Sequence, residues 1–508
     1  MKIAVIGSGL ASFACCTVLN KNNFFPDVFD CGEDLDLDQK EIKIKIKKYV
    51  EGGNKDLLSD VVNIILQQNP GEHPKKKYFG SEKLYNYISR SFTKNNPAHS
   101  NNLGGFGKVW SASALFPDKK DLTDWPDFSI PNINLYNKYF NNLNYSAKKD
   151  NLEKFFTKLS DQNNYLKHHE CIEVLQNKIA KMNTGNFVSG FSKSFLTTIG
   201  DNQCRYCGLC MTGCVYNSIF DPSIEFKKLI ENKKINYYKN FELVRISKLN
   251  KKIELFFSNG EKVQYDKVFL AAGALSSSKI IMNSFKGIKE TKIIHASGFV
   301  MPLISLKSYN FEWPNRNTLS QIFMEIKNKN INHWVHCQLS QPNELVMHRM
   351  GFFKFNNKWI KKFYFQILKR LFTINIGYHS NYSGYYKLNF EKGNLKASYF
   401  ENKDNKFYNY SIYETIMKKL NKTGLYSNKH LIYHGENADH YYIGGSFPMK
   451  KNQTEIHHSD QYGQLKDMEN LHIIDSSTFP SIPATTFGLL IILNSARITD
   501  KVIKKLYN

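Results

Sequence analysis

No apolar run in this 508-residue chain approaches the ~20 residues that a membrane-spanning helix requires, so a soluble protein is expected. A secretory or twin-arginine signal has no room either. A glycine turn already opens at Gly7, and the apolar residues Ile3–Ile6 before it read as a strand, which makes a cytoplasmic location the expectation. Acidic residues are scarce beside basic ones, 45 against 69, leaving a formal charge of +24. Lysine spread over solvated faces accounts for such a sum, and so does attraction to an anionic substrate or a membrane surface. Nucleic acid is not an expected partner, because the basic residues form no groove-reading or base-stacking motif. Nine cysteines in a cytoplasmic chain are no disulfide framework. Five of them, Cys15, Cys16, Cys31, Cys171 and Cys337, are scattered and read as small apolar residues of the core.

What the chain does have begins at its first residues. The 508 residues exceed the ~250–300 that one core usually supports, so two domains are expected. Ile3–Ile6, the turn Gly7-Ser8-Gly9 and the helical run from Leu10 to Leu19 make a strand, tight turn and helix. In such a unit Gly7 permits the turn, and Gly9, lacking a Cβ, lets a pyrophosphate approach the backbone N–H groups and the positive end of the helix. The third glycine position is Ser12. A second strand ending near Asp27–Gly32 puts Asp30 about 20 residues further on, where an acid accepts hydrogen bonds from a ribose diol.

Small residues return at Asn102–Ala112, where Gly104 and Gly105 let backbone approach a planar ring system that Trp110 walls. Residues 33–77 read as an excursion, with helical spacing at Leu57, Val61, Ile64 and Ile65. The alternating runs of 241–265 read as a hairpin, and Lys267–Leu275 as a strand ending in small residues. Between about Gly298 and Ala397, aromatic and β-branched residues dominate, as in a large antiparallel sheet. Within that stretch Lys358–Phe372 puts Ile360, Phe363, Tyr364, Ile367, Leu368 and Leu371 on one helical face flanked by lysines. Such a helix can lie in a membrane interface, but a helix packed on its own sheet is the expectation here. The closing segment, Asn470–Ala484, is a strand into a proline-held loop, and the helix after it aims a positive dipole at whatever the loop holds.

Four cysteines stand together in Cys204-Arg205-Tyr206-Cys207-Gly208-Leu209-Cys210-Met211-Thr212-Gly213-Cys214, the spacing of bacterial ferredoxins, with Val215 where proline usually follows. Three readings stay open: an iron–sulfur cluster, zinc held by four thiolates, or reduced thiols.

The nucleotide-type elements at 3–32, 267–278 and 470–498 must share one domain, and together they resemble the glucose–methanol–choline oxidoreductases. The similar pieces are the Gly7–Gly9 turn with Asp30, the loop Gly104–Trp110, the run Phe269–Leu275, the turn Gly444–Met449 and the stretch Asn470–Arg497. The resemblance implies an α/β fold in which a doubly wound FAD-binding domain is interleaved with a mainly antiparallel-sheet substrate domain. Residues 1–297, with a cysteine-rich insertion at 200–220, and 431–508 would form the first, and 298–430 the second. It implies non-covalent FAD, since no histidine lies in the 104–116 loop. Gly7, Gly9 and Asp30 would hold its ADP half, with Val244 beside the adenine and Ala272-Gly273 nearby. Asp475 and Ser476 would contact the ribityl and pyrophosphate region.

The implied reaction is oxidation of a CH–OH group of a sugar or other alcohol with hydride passing to flavin N5; if Cys204–Cys214 hold an iron–sulfur cluster, electrons leave through it to an acceptor, which makes the enzyme a dehydrogenase. The family's base lies seven residues before the position of Met449, which here is Tyr442; His440 is two residues earlier, and the partner position is Thr486. These departures keep two alternatives in view, a non-redox isomerase or lyase that binds flavin, and an alcohol oxidase without a cluster.

Overall fold

The computed structural model describes residues 1–32, 44, 46–48, 50–52, 97, 99–108, 110–159, 165–210, 214–309, 316–343, 346–347, 357–433, 442–485 and 487–507. Leu57, Val61, Ile64 and Ile65, where helical spacing was expected, lie outside these residues. The described helices are α1 (Leu10–Lys21), α2 (Ile133–Tyr139), α3 (Glu170–Ala180), α4 (Pro222–Glu231), α5 (Ala274–Ser284), α6 (Lys358–Leu368), α7 (Asn405–Leu420) and α8 (Phe487–Tyr507).

Five strands form a parallel sheet: β1 (Ile3–Ile6), β2 (Asp27–Asp30), β4 (Asn236–Lys239), β8 (Lys267–Leu270) and β18 (Leu471–Ile473), in the order β18-β8-β1-β2-β4. Every residue of β1 is buried, as an unbroken apolar strand requires when both faces are covered. On one face α1 and α8 pack against each other, with Ser495 Oγ donating to the Ala11 carbonyl at 2.6 Å. Thus the first and last elements of the chain share one core, which also contains Phe13, Val18, Leu489 and Leu493. The hairpin expected at 241–265 is a three-stranded antiparallel sheet of β5 (Leu243–Leu249), β6 (Lys252–Phe257) and β7 (Lys262–Tyr265).

The expected large antiparallel sheet has six strands in the order β16-β10-β13-β12-β11-β3, namely β3 (Phe187–Phe191), β10 (Gly298–Ser305), β11 (Ile322–Asn328), β12 (Ile331–Ser340), β13 (Leu371–Gly377) and β16 (Leu425–Tyr426). Alternation decides its faces. Phe299, Met301, Leu339, Phe372, Ile374 and Ile376 enter a core roofed by α3 and α7, while the residues between them look the other way. A four-stranded sheet, β15-β14-β9-β17, completes the molecule with β9 (Glu290–His295), β14 (Tyr385–Glu391), β15 (Asn394–Phe400) and β17 (Ile443–Gly444).

The chain crosses between these bodies more often than a division at 297 and 430 provides. Strand β3, from the first segment, is an edge of the six-stranded sheet, and β14 pairs with β9 across residue 297. The fate of α6 is also plain. Among its described side chains only Leu368 is buried, while Trp359 and Phe363 are 78% and 65% exposed. Among the described residues no helix is long and apolar enough to cross a membrane.

Candidate active site

Where the carboxyl ends of the parallel strands meet the six-stranded sheet lies a cavity of about 520 Å³, within the usual range for a small-molecule site. Its floor is the Gly7–Gly9 turn. Gly7 sits at φ +99°, and a Cβ there would come within 2.6 Å of the Ala271 carbonyl oxygen, so glycine is required for the turn to pass β8. Gly9 is different: a Cβ added to it meets nothing within 4 Å and would project into open space along the cavity. It also precedes α1 with no side chain capping the helix, which leaves the first N–H groups of that helix turned toward the cavity. Ser12 is buried within α1 and is not part of the lining.

One end of the cavity is acidic. Asp30 ends β2, and its Oδ2 accepts from Ser8 Oγ at 2.5 Å and from the Tyr237 hydroxyl at 3.1 Å. Burial pushes the Asp30 carboxyl up to about 7, against the pull of those donors and of the Cys31 and Gly32 N–H groups. Neighbouring walls come from Phe241, Glu242, Leu243 and Lys279. Val244 is not in that lining; its carbonyl accepts from Asn283 at 3.0 Å, so the side chains one to three residues before it face the space.

Opposite the turn stands the loop at 104–110. Gly104 donates its N–H to Ser8 Oγ at 2.9 Å and lies behind the lining, whereas Gly105 reaches it, stacked against Gly9. Trp110 donates Nε1–H to the Phe220 carbonyl at 2.7 Å and lies flat on Gly488, where a Cβ would come 2.0 Å from the ring. Ala272 and Gly273 line the middle. Gly273, at φ +84°, has no neighbour within 4 Å of a Cβ and donates its N–H to Asp475 Oδ2 at 2.9 Å. The buried Asp475 carboxylate also accepts from Ser277 Oγ at 2.5 Å and Ser477 N–H at 2.9 Å, although burial still raises its pKa. Ser476 lines the cavity and donates Oγ–H to the Ile443 carbonyl at 2.8 Å, tying β17 to the floor.

Tyr442, Phe487, Ala296 and Asn375 close the far end. Tyr442, 53% exposed, presents its ring to the space 5.4 Å from that of Phe487, and desolvation of the phenol holds it above the ordinary tyrosine range. A phenol so shifted is a hydrogen-bond donor at neutral pH, not a base. His440 and Thr486 lie outside the described residues. Asn375 belongs to the open face of the six-stranded sheet. There Gln338 pairs with Asn375 and Ser340 with Thr373. Ser340 Oγ and Thr373 Oγ1 are 3.0 Å apart, Ser320 Oγ donates to Gln338 Oε1 at 2.8 Å, and the row continues through His336 to the buried Glu325, 2.6 Å from His336 Nδ1. Ser8, Tyr237, Gly488 and this polar row carry no motif of their own in the sequence. Only strand alternation hints at the row.

The four clustered cysteines sit behind Trp110. Phe220, which holds the Trp110 indole, donates to the Phe195 carbonyl, and Thr197 links Ser218 to Cys204 through their backbones. The Thr318 N–H points at Cys210 Sγ at 3.3 Å, and the Ser218 N–H at Cys214 Sγ at 3.2 Å. Burial and then the charges of Cys210 and Cys214 push the Cys204 thiol up to about 12; Cys207 is raised by burial and by the other three. Among the described residues, the groups of three ligand-type atoms within 4.8 Å are Asp124 with His333 and His379, and Glu455 with His457 and His458, and the cysteines are in neither.

No protein-family model matches the sequence, and no curated protein matches it. Among solved structures, pyridoxine 4-oxidase from Mesorbium loti is similar with a TM-score of 0.57 at 11% identity, over 99% of this chain and 99% of that one. The chain has the fold of that oxidase. The likeness covers nearly the whole of both chains, and the α/β fold observed, with a parallel sheet beside antiparallel ones, is of the class that the sequence resemblance implied.

Proposed function

We propose that this protein is an FAD-dependent oxidoreductase that oxidises a CH–OH group of a sugar or other polyhydroxylated alcohol. The observation that carries this reading is the cavity in which an open Gly9, a buried Asp30 and the Asp475–Ser476 loop line one space that also reaches Asn375 of the six-stranded sheet. The residues present fit the cofactor. Gly9 and Gly273 leave room that any Cβ would take, the uncapped N–H groups of α1 suit a pyrophosphate, and Asp30 suits a ribose. Bound there, FAD supplies an acceptor for hydride at its N5 atom.

The chain's own residues do the rest. Gln338, Ser340, Thr373 and Asn375 offer amide and hydroxyl groups on one sheet face, the chemistry that orients several substrate hydroxyls at once. His440, two residues before Tyr442 in the sequence, is the residue we assign to take the hydroxyl proton, and Tyr442, which lines the cavity, would donate a hydrogen bond. Cys204, Cys207, Cys210 and Cys214 would hold an iron–sulfur cluster, which supplies a one-electron exit and makes the enzyme a dehydrogenase. The N–H groups of Thr318 and Ser218 point at the sulfurs of Cys210 and Cys214. A second reading, an alcohol oxidase without a cluster, is favoured by the likeness to pyridoxine 4-oxidase.

Anaerobic absorption spectra with flavin extraction, iron and acid-labile sulfide analysis separate these readings. Flavin with iron and sulfide that the Cys207→Ser/Cys210→Ser variant loses, while it keeps flavin, supports the dehydrogenase. Flavin without iron after anaerobic reconstitution leaves the oxidase, and absence of bound flavin overturns both. Flavin that stays oxidised under a panel of sugars and alcohols removes oxidation and leaves an isomerase or lyase.

A further inference from the structure

We infer that α6, with the exposed end of the six-stranded sheet beside it, is a docking surface for an anionic lipid bilayer. This inference is independent of the cofactor and reaction proposed above. A helix on a globular protein normally buries its apolar stripe. In α6 Trp359, Ile360, Phe363 and Ile367 are instead 78%, 38%, 65% and 39% exposed. The helix is nonetheless a built element: Asn357 caps it by accepting from the Trp359 N–H at 2.8 Å, and Leu368 anchors it to the body.

The apolar surface continues beyond the helix. Lys369 accepts from the Tyr309 N–H, and the Arg370 guanidinium donates to the Leu306 carbonyl, holding the segment 304–309 beside the C-terminal end of α6. Ile304 and Leu306 there are 54% and 67% exposed, and Tyr426, which pairs with Ile304, is 41% exposed. Large exposed aliphatic and aromatic side chains gathered on one edge mark an interaction surface.

Charge selects the occupant. Residues 357–390 contain no Asp or Glu but carry Lys358, Lys361, Lys362, Lys369 and Arg370 within the helix and its immediate end. The segment 298–309 adds Lys307 and again no acid. Four to eight basic residues around an amphipathic helix with Trp and Phe on its apolar side is the composition that binds acidic headgroups and seats rings at the acyl boundary. A second copy of this chain would oppose like charge to like charge across the same face.

The surface is also connected to the cavity. Strand β13 begins at Leu371, three residues after α6 ends, and its Asn375 lines the cavity. At about 3.4 Å per residue the docking edge and Asn375 are about 14 Å apart along one strand. A protein seated on α6 thus presents the polar face of that sheet close to the bilayer surface.

The test uses the full-length protein and sedimentation with vesicles of phosphatidylcholine alone or with one-third phosphatidylserine. The expected result is binding to the anionic vesicles at low salt, weakened at high salt, and reduced at least tenfold in Trp359→Ala/Phe363→Ala. That variant keeps every charge, so attraction from the overall +24 alone would leave its binding intact and overturn the inference. Quenching of tryptophan emission by bilayer-buried nitroxide lipids, lost in Trp359→Phe, supports insertion of that ring. No vesicle binding at low salt overturns the inference, as does a sedimentation-velocity dimer that Phe363→Ala dissociates while vesicles remain unbound.

Discussion

At the scale of single residues the site rests on two glycines that are required for opposite reasons. Gly7 is needed by the fold, because its φ of +99° and the Ala271 carbonyl 2.6 Å from a Cβ leave no room for a side chain. Gly9 is not needed by the fold, because a Cβ there meets nothing; the proposed flavin is what would need the space. Gly7→Ala should therefore lower stability by about 2–4 kcal/mol, from left-handed strain and overlap combined. Gly9→Ala should change it by less than about 0.5 kcal/mol yet weaken flavin retention at least tenfold. Urea denaturation and flavin release on dilution measure the two effects separately, and equal stability losses would refute the division.

Asp30 gives a pH signature of the same site. Its carboxyl lies near 7 in the folded flavin-free protein against about 3.9 unfolded. Below pH 4 both states hold the proton, so the group contributes nothing to the difference. Between about 4 and 7 the unfolded chain has released its proton and the folded one has not, so stability falls as pH rises, by up to about 4 kcal/mol in all. Above 7 this contribution is flat. Denaturation midpoints of the flavin-free protein at pH 5 and pH 8 should differ, and the difference should shrink in Asp30→Asn.

At the scale of elements, what was legible in the sequence is what local chemistry dictates. The β1–turn–α1 unit could be read because a buried strand, a positive-φ turn and a helix start each leave a residue-type mark within fifteen positions. The 470–507 segment could be read for similar reasons, and α8 begins one residue before the expected Gly488. Periodicity also identified the apolar face of α6, but it says nothing of what covers that face, which depends on surfaces hundreds of residues away. The polar row on β12 and β13 and the anchoring of Trp110 are likewise products of pairing. The far end of the cavity was the least legible, since Tyr442 and Thr486 depart there from the pattern of the oxidoreductases that the sequence resembles. Gly488, the second residue of α8, has the Trp110 ring where its side chain would be. Gly488→Ala should destabilise by about 1–3 kcal/mol. Combined with Trp110→Ala, which removes the ring, it should lose most of that effect, a coupling of more than about 1 kcal/mol in a double-mutant cycle. Simple additivity would show that the ring is not what excludes a side chain there.

At the scale of the whole molecule the sheets are stitched together by distant segments, and this decides how the protein unfolds. The six-stranded sheet takes its edge β3 from residues 187–191, and its core takes Cys171, Ile172, Leu175 and Ile179 from α3. All of these precede residue 298. A fragment spanning 298–430 would expose the inner side of β11 and the apolar roof that α3 covers, leaving an unpaired strand edge next to a stripped core. Such a fragment should be soluble only as an aggregate-prone, poorly structured chain. A fragment of 165–430 restores the edge and roof of that sheet but strands β9 and β14, whose partner β17 and floor lie beyond 442. Near-ultraviolet circular dichroism and urea titration of both fragments against the full chain test this. The expected outcome is a single cooperative transition only in the full chain. A cooperative transition in the 298–430 fragment would mean that the six-stranded sheet folds without the residues that precede it, and that the interleaving is a matter of chain order and not of stability.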